Sequence, residues 1–271
     1  MAERPTVKSE EEIELIRESS RLVGMTLGEV KKHIRPGIST LELDTIAEEF
    51  IRDHGAIPAF KDYAPGFSQT PFPSTLCTSI NEVVVHGMPS GQSFLKDGDI
   101  ISVDCGVLKN GYYGDSAYTF AVGEIAPKVR QLMKVTKESL YKAIEKAVAG
   151  NRLGEISSAV QRHVEGYGYS VVREMVGHGL GQNLHEPPEV PNYGRRRSGP
   201  KLQAGWVIAI EPMINLGKRY IDVDENDGWT VFATDHLPSA HYEHCVVIRK
   251  GKAEILSTFE YIENEEAVLT S

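Results

Sequence analysis

Five residues in this chain have side chains suited to holding metal ions: Asp104, Asp115, His178, Glu211 and Glu243. Four carboxylates and one imidazole offer enough charge and enough oxygen ligands for two divalent cations about 3.5 Å apart, provided that some carboxylates bridge. Their neighbours are apolar. Ile100, Ile101 and Val103 precede Asp104, Val207, Ile208 and Ile210 precede Glu211, and Val246, Val247 and Ile248 follow Glu243. Carboxylates drawn into such strands require cations, because an isolated buried charge is very costly. The spacing puts all five at strand ends or in tight turns. Any one of these acids alone would read as a solvent-facing strand end, but the repetition of the placement makes the set read as a site. No Gly-x-Ser-x-Gly motif is present, and Cys105, next to Asp104, has no partner base.

The elements that must carry these residues come in two similar sets. Ser9 stands three residues before Glu12, a capping-box spacing, and Ile13, Ile16, Leu22 and Val23 recur at broadly helical intervals toward Ile34, with Pro36-Gly37 as the stop. Ser39 and Glu42 repeat the capping spacing, and Leu43, Ile46, Ala47 and Ile51 form an apolar face that ends before Gly55. Residues 127–168 repeat that helical pair: a shift of 113 superposes Leu140 on Leu27, Gly150 on Gly37, Glu155 on Glu42 and Gly168 on Gly55. The strands that follow also correspond, since Leu95, Gly98, Ile101, Val103 and Asp104 match Leu202, Gly205, Ile208, Ile210 and Glu211 at a shift of 107. His86-Gly87 and His178-Gly179 lie ahead of these strands. Helices followed by strands in each half predict an α+β domain with a largely antiparallel sheet, helices on one face, and a pseudo-twofold axis near the acids.

We expect residues 1–271 to form one domain, with repeat halves at about 10–120 and 127–257. Residues 60–76 carry Pro65, Gly66, Pro71 and Pro73 among Phe60, Tyr63, Phe67 and Phe72, and read as an ordered loop because aromatics need burial or a ligand. The acidic stretch Glu260–Ser271 reads as a surface finish. A hydrophobic share of 41% and a charged share of 25% suit a globular protein. The net charge of −9 disfavours direct nucleic-acid or anionic-membrane binding and favours a cationic partner such as a free peptide N-terminus. Cys77, Cys105 and Cys245 lack Cys-x-x-Cys spacing, so neither a disulfide framework nor a zinc finger is implied, and a reducing cytoplasm fits best. No signal-peptide or membrane-spanning run precedes the first helix.

The segments Ser79-Ile80-Asn81-Glu82-Val83-Val84-Val85-His86-Gly87, Gly177-His178-Gly179-Leu180-Gly181, His185-Glu186-Pro187-Pro188, Ile210-Glu211-Pro212-Met213 and Tyr242-Glu243-His244 resemble the type I methionine aminopeptidases of the pita-bread fold, in order, from about residue 10 to residue 257. The resemblance implies removal of the initiator methionine from nascent proteins whose second residue is small. Its cofactors would be two divalent ions per chain, cobalt, manganese, ferrous iron or zinc. Asp115 and Glu243 would bridge them, Asp104 would complete one shell, and His178 and Glu211 would complete the other. Glu211 would also serve as general base for a metal-activated water, so no covalent intermediate is needed. His86 and His185 would hydrogen-bond the substrate and its developing oxyanion. Phe72, Cys77 and Trp229, the last within Asp227-Gly228-Trp229-Thr230, would line the methionine pocket.

The loop before Phe72 is several residues longer than is usual in that family, which leaves Tyr63 and Phe67 unassigned. His33, His54, His163, His236 and His241 fit no site pattern and are expected at the surface, and His244 is expected in packing. Partners would be nascent polypeptide N-termini, with a transient ribosome contact and a monomeric chain as further expectations. Prolidases and proline-specific aminopeptidases share the fold and metal set, but usually add an N-terminal domain and a further histidine after the metal histidine. Here about eight residues precede the first helix and Gly-Gln-Asn-Leu follows Gly179-Leu180. The 33 positions from His178 to Glu211 leave no room for the large insertion of the type II enzymes. A non-enzymatic scaffold of this fold would be expected to lack some of the five ligands.

Overall fold

The computed structural model describes residues 4–65 and 70–264. Helix α1 (Glu10–His33) starts at Ser9, whose side chain accepts the Glu12 N–H at 3.2 Å while the Glu12 carboxylate accepts the Ser9 N–H at 2.8 Å. Helix α2 (Thr40–Asp53) opens with the same reciprocal pair from Ser39 and Glu42. Both capping boxes form as expected, satisfying N–H groups that a helix start leaves without partners. Lys31, Lys32 and His33 occupy the last turn of α1, where cations complement the dipole.

Strands β1 (Ile57–Pro58), β2 (Leu76–Ile80) and β3 (Val83–Val85) lead to a long hairpin of β4 (Ile100–Lys109) and β5 (Tyr112–Ala121). Asn110 and Gly111 close it with φ of 52° and 81°. Positive φ at both turn residues suits a two-residue type I′ connection, and Asn-Gly is its usual sequence. The second helical pair follows as α3 (Pro127–Ile144) and α4 (Leu153–Glu165), neither with a side-chain cap. Then come β6 (Ser170–Val171), β7 (Gly177–Gly179), β8 (Glu186–Val190), β9 (Val207–Ile210), β10 (Met213–Asn215), β11 (Ile221–Val223), β12 (Val231–Ala233), β13 (Ser239–His241), β14 (His244–Val247) and β15 (Glu254–Ile255).

Every ladder between these strands is antiparallel. Strand β4 pairs with β1, β2 and β5, while a five-stranded sheet runs β15-β14-β9-β7-β8. Strand β12 joins the halves by pairing with β3. Helix α1 lies on β4 and β5, and α3 lies on β9, β10 and β13, so each half brings its helices to its own strands. One apolar cluster includes Leu22 and Leu27 of α1, Ile101 and Val103 of β4, Leu132 and Leu140 of α3, and Ile208 and Ile210 of β9. Burial of such side chains is the main force holding helices to strands. Among the described residues, no helix is long and apolar enough to cross a membrane.

The glycines matched between the halves have matching backbones. Gly37 and Gly150 have φ of 87° and 99°, and Gly98 and Gly205 have 94° and 88°. A Cβ on Gly37 or Gly150 would meet nothing within 4 Å, so these two are demanded by left-handed backbone and not by space.

Two expectations are corrected by the fold. Residues 260–263 are not surface finish but a short helix, α5 (Glu260–Glu263), with Ile262 and Phe259 buried. Gly24 and Gly28 of α1 admit it, since a Cβ at Gly28 would fall 2.8 Å from Tyr261. Residues 265–271, like Phe67, Met1 and Ala2, lie outside the described residues. Asp104 and Asp115 are not at strand ends, because the hairpin stays paired along both ten-residue arms and places them within β4 and β5.

A candidate metal centre in a buried cavity

A cavity of about 350 Å³ brings together all ten residues singled out in the sequence. Asp104 pairs in register with Cys77 on one side and Ala117 on the other, and Asp115 lies opposite Gly106 two residues along the same hairpin. Glu211 immediately follows β9, and Glu243 immediately precedes β14, which pairs with β9. The Glu243 N–H donates to the Ala117 carbonyl at 2.9 Å and the Ser116 hydroxyl donates to the Glu243 carbonyl at 2.7 Å, which stitches the two halves together at the acids.

His178 reaches the same point from β7. The glycines beside it are required by crowding: a Cβ would fall 2.4 Å from the Ala209 carbonyl oxygen at Gly177 and 2.3 Å from that of Pro187 at Gly179. Gly-His-Gly therefore lets β7 fit between β9 and β8 with only the imidazole projecting into the cavity.

Ligand atoms of Asp115, His178 and Glu243 lie within 4.8 Å of one another. His178 Nε2 is 3.8 Å from Asp115 Oδ2 and 3.5 Å from Glu211 Oε1. His178 Nδ1 is 3.0 Å from the Gly179 carbonyl oxygen, an acceptor, so Nδ1 carries the proton and Nε2 turns its lone pair toward the carboxylates. Acceptors facing one another in this way call for a positive centre between them.

The orphaned oxygens agree. Asp104 Oδ1, Asp115 Oδ1 and Glu243 Oε1 are buried without a hydrogen-bond partner. Burial pushes the Asp104 carboxyl up to about 7. It raises Asp115 and Glu243 well above the carboxylate range, helped by Glu243 beside Asp115 and by Glu211 beside Glu243. Glu211 is raised in the same way, by burial and then by Asp104 and Asp115. Divalent cations would relieve both the desolvation and the repulsion, so this donor set fits a carboxylate-rich metal centre.

The apolar wall joins Phe60, Phe72, Cys77, Leu184 and Trp229 in one buried cluster. The Phe72 and Trp229 rings meet edge-on at 5.2 Å, and His86 meets Trp229 edge-on at 6.0 Å. Asp227 sets Trp229 in place by accepting the N–H groups of Trp229 and Thr230, each at 2.8 Å. His86 has a φ of 59°, and burial, then His185, pushes its pKa down to about 4, so the ring is neutral. His185 lines the cavity and is exposed, with its ring 4.1 Å from that of His178.

Sequence reasoning left Leu184 and Tyr63 of the cavity wall, and His241 behind Glu211, without a place at this site. Leu184 lines the apolar wall, and its place beside His185 was the only signal available. Tyr63, left unassigned above, also lines the cavity, with its hydroxyl 2.6 Å from His185 Nδ1. His241 corrects an expectation: it is buried and not at the surface, with Nε2 unpartnered and 3.9 Å from Glu211 Oε2. Strand β13 places it there by pairing with β10, while Thr119 of β5 holds its backbone. His163 is half-buried against Glu138 at 3.0 Å, whereas His54 and His236 are exposed as expected. His244 packs as expected, stacked on Phe259 at 3.9 Å and bonded to Ser257.

Residues 14–250 match the metallopeptidase family M24. The chain is 51% identical to the methionine aminopeptidase of Clostridium acetobutylicum, over 94% of this chain and 99% of that one. It is 50% identical to methionine aminopeptidase 1 of Bacillus subtilis, over 92% and 98%. The crystal structure of the methionine aminopeptidase from Thermotoga maritima superposes with a TM-score of 0.90 at 40% identity, covering 94% of this chain and all of that one.

Proposed function

The chain belongs to the methionine aminopeptidases of metallopeptidase family M24, which are metal-dependent aminopeptidases, and from that premise we propose that it acts as a single catalytic domain on nascent polypeptides, releasing an initiator methionine that precedes a small residue. The observation that carries the reading is the meeting, in one cavity, of four buried carboxylates and His178 with an apolar wall of Phe72, Cys77, Leu184 and Trp229.

Asp104, Asp115, His178, Glu211 and Glu243 would hold two divalent ions. When bound, such ions lower the pKa of a water and polarise the scissile carbonyl. Glu211 accepts the proton of the attacking water and returns it to the leaving amine. His86 and His185, both neutral, donate N–H groups to the substrate carbonyl as it gains charge. The apolar wall accepts the flexible methionine side chain, and Cys77, whose thiol burial holds well above its ordinary range, stays protonated there. The ion could be cobalt, manganese, ferrous iron or zinc, since availability commonly decides. We place the enzyme in the cytoplasm as a monomer that meets the ribosome transiently, without a nucleic-acid or membrane surface of its own. Three free, buried cysteines suit that compartment.

The test is hydrolysis of Met-Ala-Ser and Met-Lys-Ser peptides by protein loaded separately with each metal, with bound metal counted. Release of methionine from the first peptide alone is expected. Protein that binds no stoichiometric metal, or that releases no methionine with any metal, would overturn the reading.

A further inference from the structure

We propose that Tyr63 is a positioning residue for His185: its hydroxyl donates to His185 Nδ1 and so fixes the ring with an Nε2–H available to the substrate. This rests on the reading of His185 as a substrate-binding group. The distance from Tyr63 Oη to His185 Nδ1 is 2.6 Å, shorter than an N–H donor usually allows and suited to an O–H donor. Chemistry gives the same direction. A phenol is a stronger acid than a neutral imidazole N–H, and an imidazole nitrogen is a better acceptor than a phenol oxygen, so the proton of the bond lies on Tyr63.

The rings also pack, with centroids 5.2 Å apart and tilted by 31°. His185 thus has two ring neighbours, Tyr63 and, 4.1 Å away, His178. The two histidines have opposite needs. His178 must keep a lone pair on Nε2 for a cation, which the Gly179 carbonyl secures by accepting a hydrogen bond from Nδ1–H. His185 must keep a proton on Nε2, which an acceptor at Nδ1 would remove and a donor at Nδ1 secures. Tyr63 supplies that donor, from the first residues of a loop that sequence alone left without a role.

The test joins nitrogen-15 NMR of the histidine side chains in zinc-loaded protein with steady-state kinetics of wild type and Tyr63→Phe. In the wild type, His185 should show a protonated Nε2 and an unprotonated, hydrogen-bonded Nδ1. Tyr63→Phe keeps the ring and its packing. It should move the Nδ1 resonance toward that of a free lone pair and lower kcat roughly tenfold, with KM and metal content nearly unchanged. An active wild type with Nδ1 protonated, or a folded Tyr63→Phe with unaltered kcat and Nδ1 shift, overturns the proposal and leaves the functional reading intact. A wild type that releases no methionine fails that reading and takes this proposal with it. The wild-type spectrum decides the direction of the bond even if the variant does not fold.

Discussion

The His178 and His185 rings lie 4.1 Å apart, tilted by 49°, and their Nδ1 atoms face groups of different kinds: a backbone carbonyl that can only accept for His178, and a tyrosine hydroxyl for His185. Neighbouring imidazoles of the same chemistry are thereby given separate tasks. One turns a lone pair to the carboxylates, and the other is hydrogen-bonded to Tyr63.

If Asp115 holds both ions, the amide in Asp115→Asn halves its capacity to bridge, so activity should be lost and metal content should fall. Elemental analysis beside a peptidase assay checks this. An active variant carrying two ions per chain would remove Asp115 from the centre.

His86→Ala and His185→Ala should keep their metal and lose about 10²-fold in kcat/KM, since each removes a donor to the substrate and no ligand. Metal loss in either variant would make that histidine a ligand instead.

Metal-free protein should be less stable at pH 8 than at pH 5. Asp104 is pushed up to about 7 in the folded chain, against an ordinary carboxylate value near 4 when unfolded, and its three neighbours are raised as well. Between those values the folded state binds more protons than the unfolded one, so stability falls as pH rises from about 4 toward 7. Thermal melts in chelator across that window, repeated with metal restored, test the sign. Bound cations should remove the slope or reverse it.

Specificity should follow from the apolar wall and from a free α-amino group. Norleucine, close to methionine in shape, should be a weak substrate, because such a pocket separates near-isosteres by only about 1 to 3 kcal/mol. Met-Ala and Met-Gly peptides should be cleaved, their N-acetylated forms should not, and a second lysine or leucine should block the reaction. In competition at equal concentration, Met-Ala-Ser should be cut before Leu-Pro-Ser. The opposite preference would point to the proline-specific relatives.

Much of this was legible in the sequence because it depends on local chemistry. Ser9 with Glu12 and Ser39 with Glu42 cap their helices through contacts three residues apart, which spacing alone specifies. Gly98 and Gly205 share a left-handed backbone that few other residues adopt, so their repetition at a constant shift marks corresponding turns independently of packing. The five side chains proposed to hold metal stand out because carboxylates beside apolar strands are rare without a purpose. Asn110-Gly111 was also readable as a hairpin turn, and would have shown that Asp104 and Asp115 sit within paired strands.

What only the tertiary structure decided involves residues far apart in the chain. His241 looked like a surface histidine because nothing near it marks a site; the pairing of β13 with β10 and the grip of Thr119 bury it behind Glu211. Residues 260–263 looked like solvated acid until two glycines of α1, more than 230 positions earlier, gave Tyr261 a place to pack. Tyr63 and His185 are 122 positions apart, and no spacing rule connects them. Local sequence determines which side chains are available and which backbone turns they permit, whereas the direction in which a buried polar atom points is set by whichever distant element is packed against it.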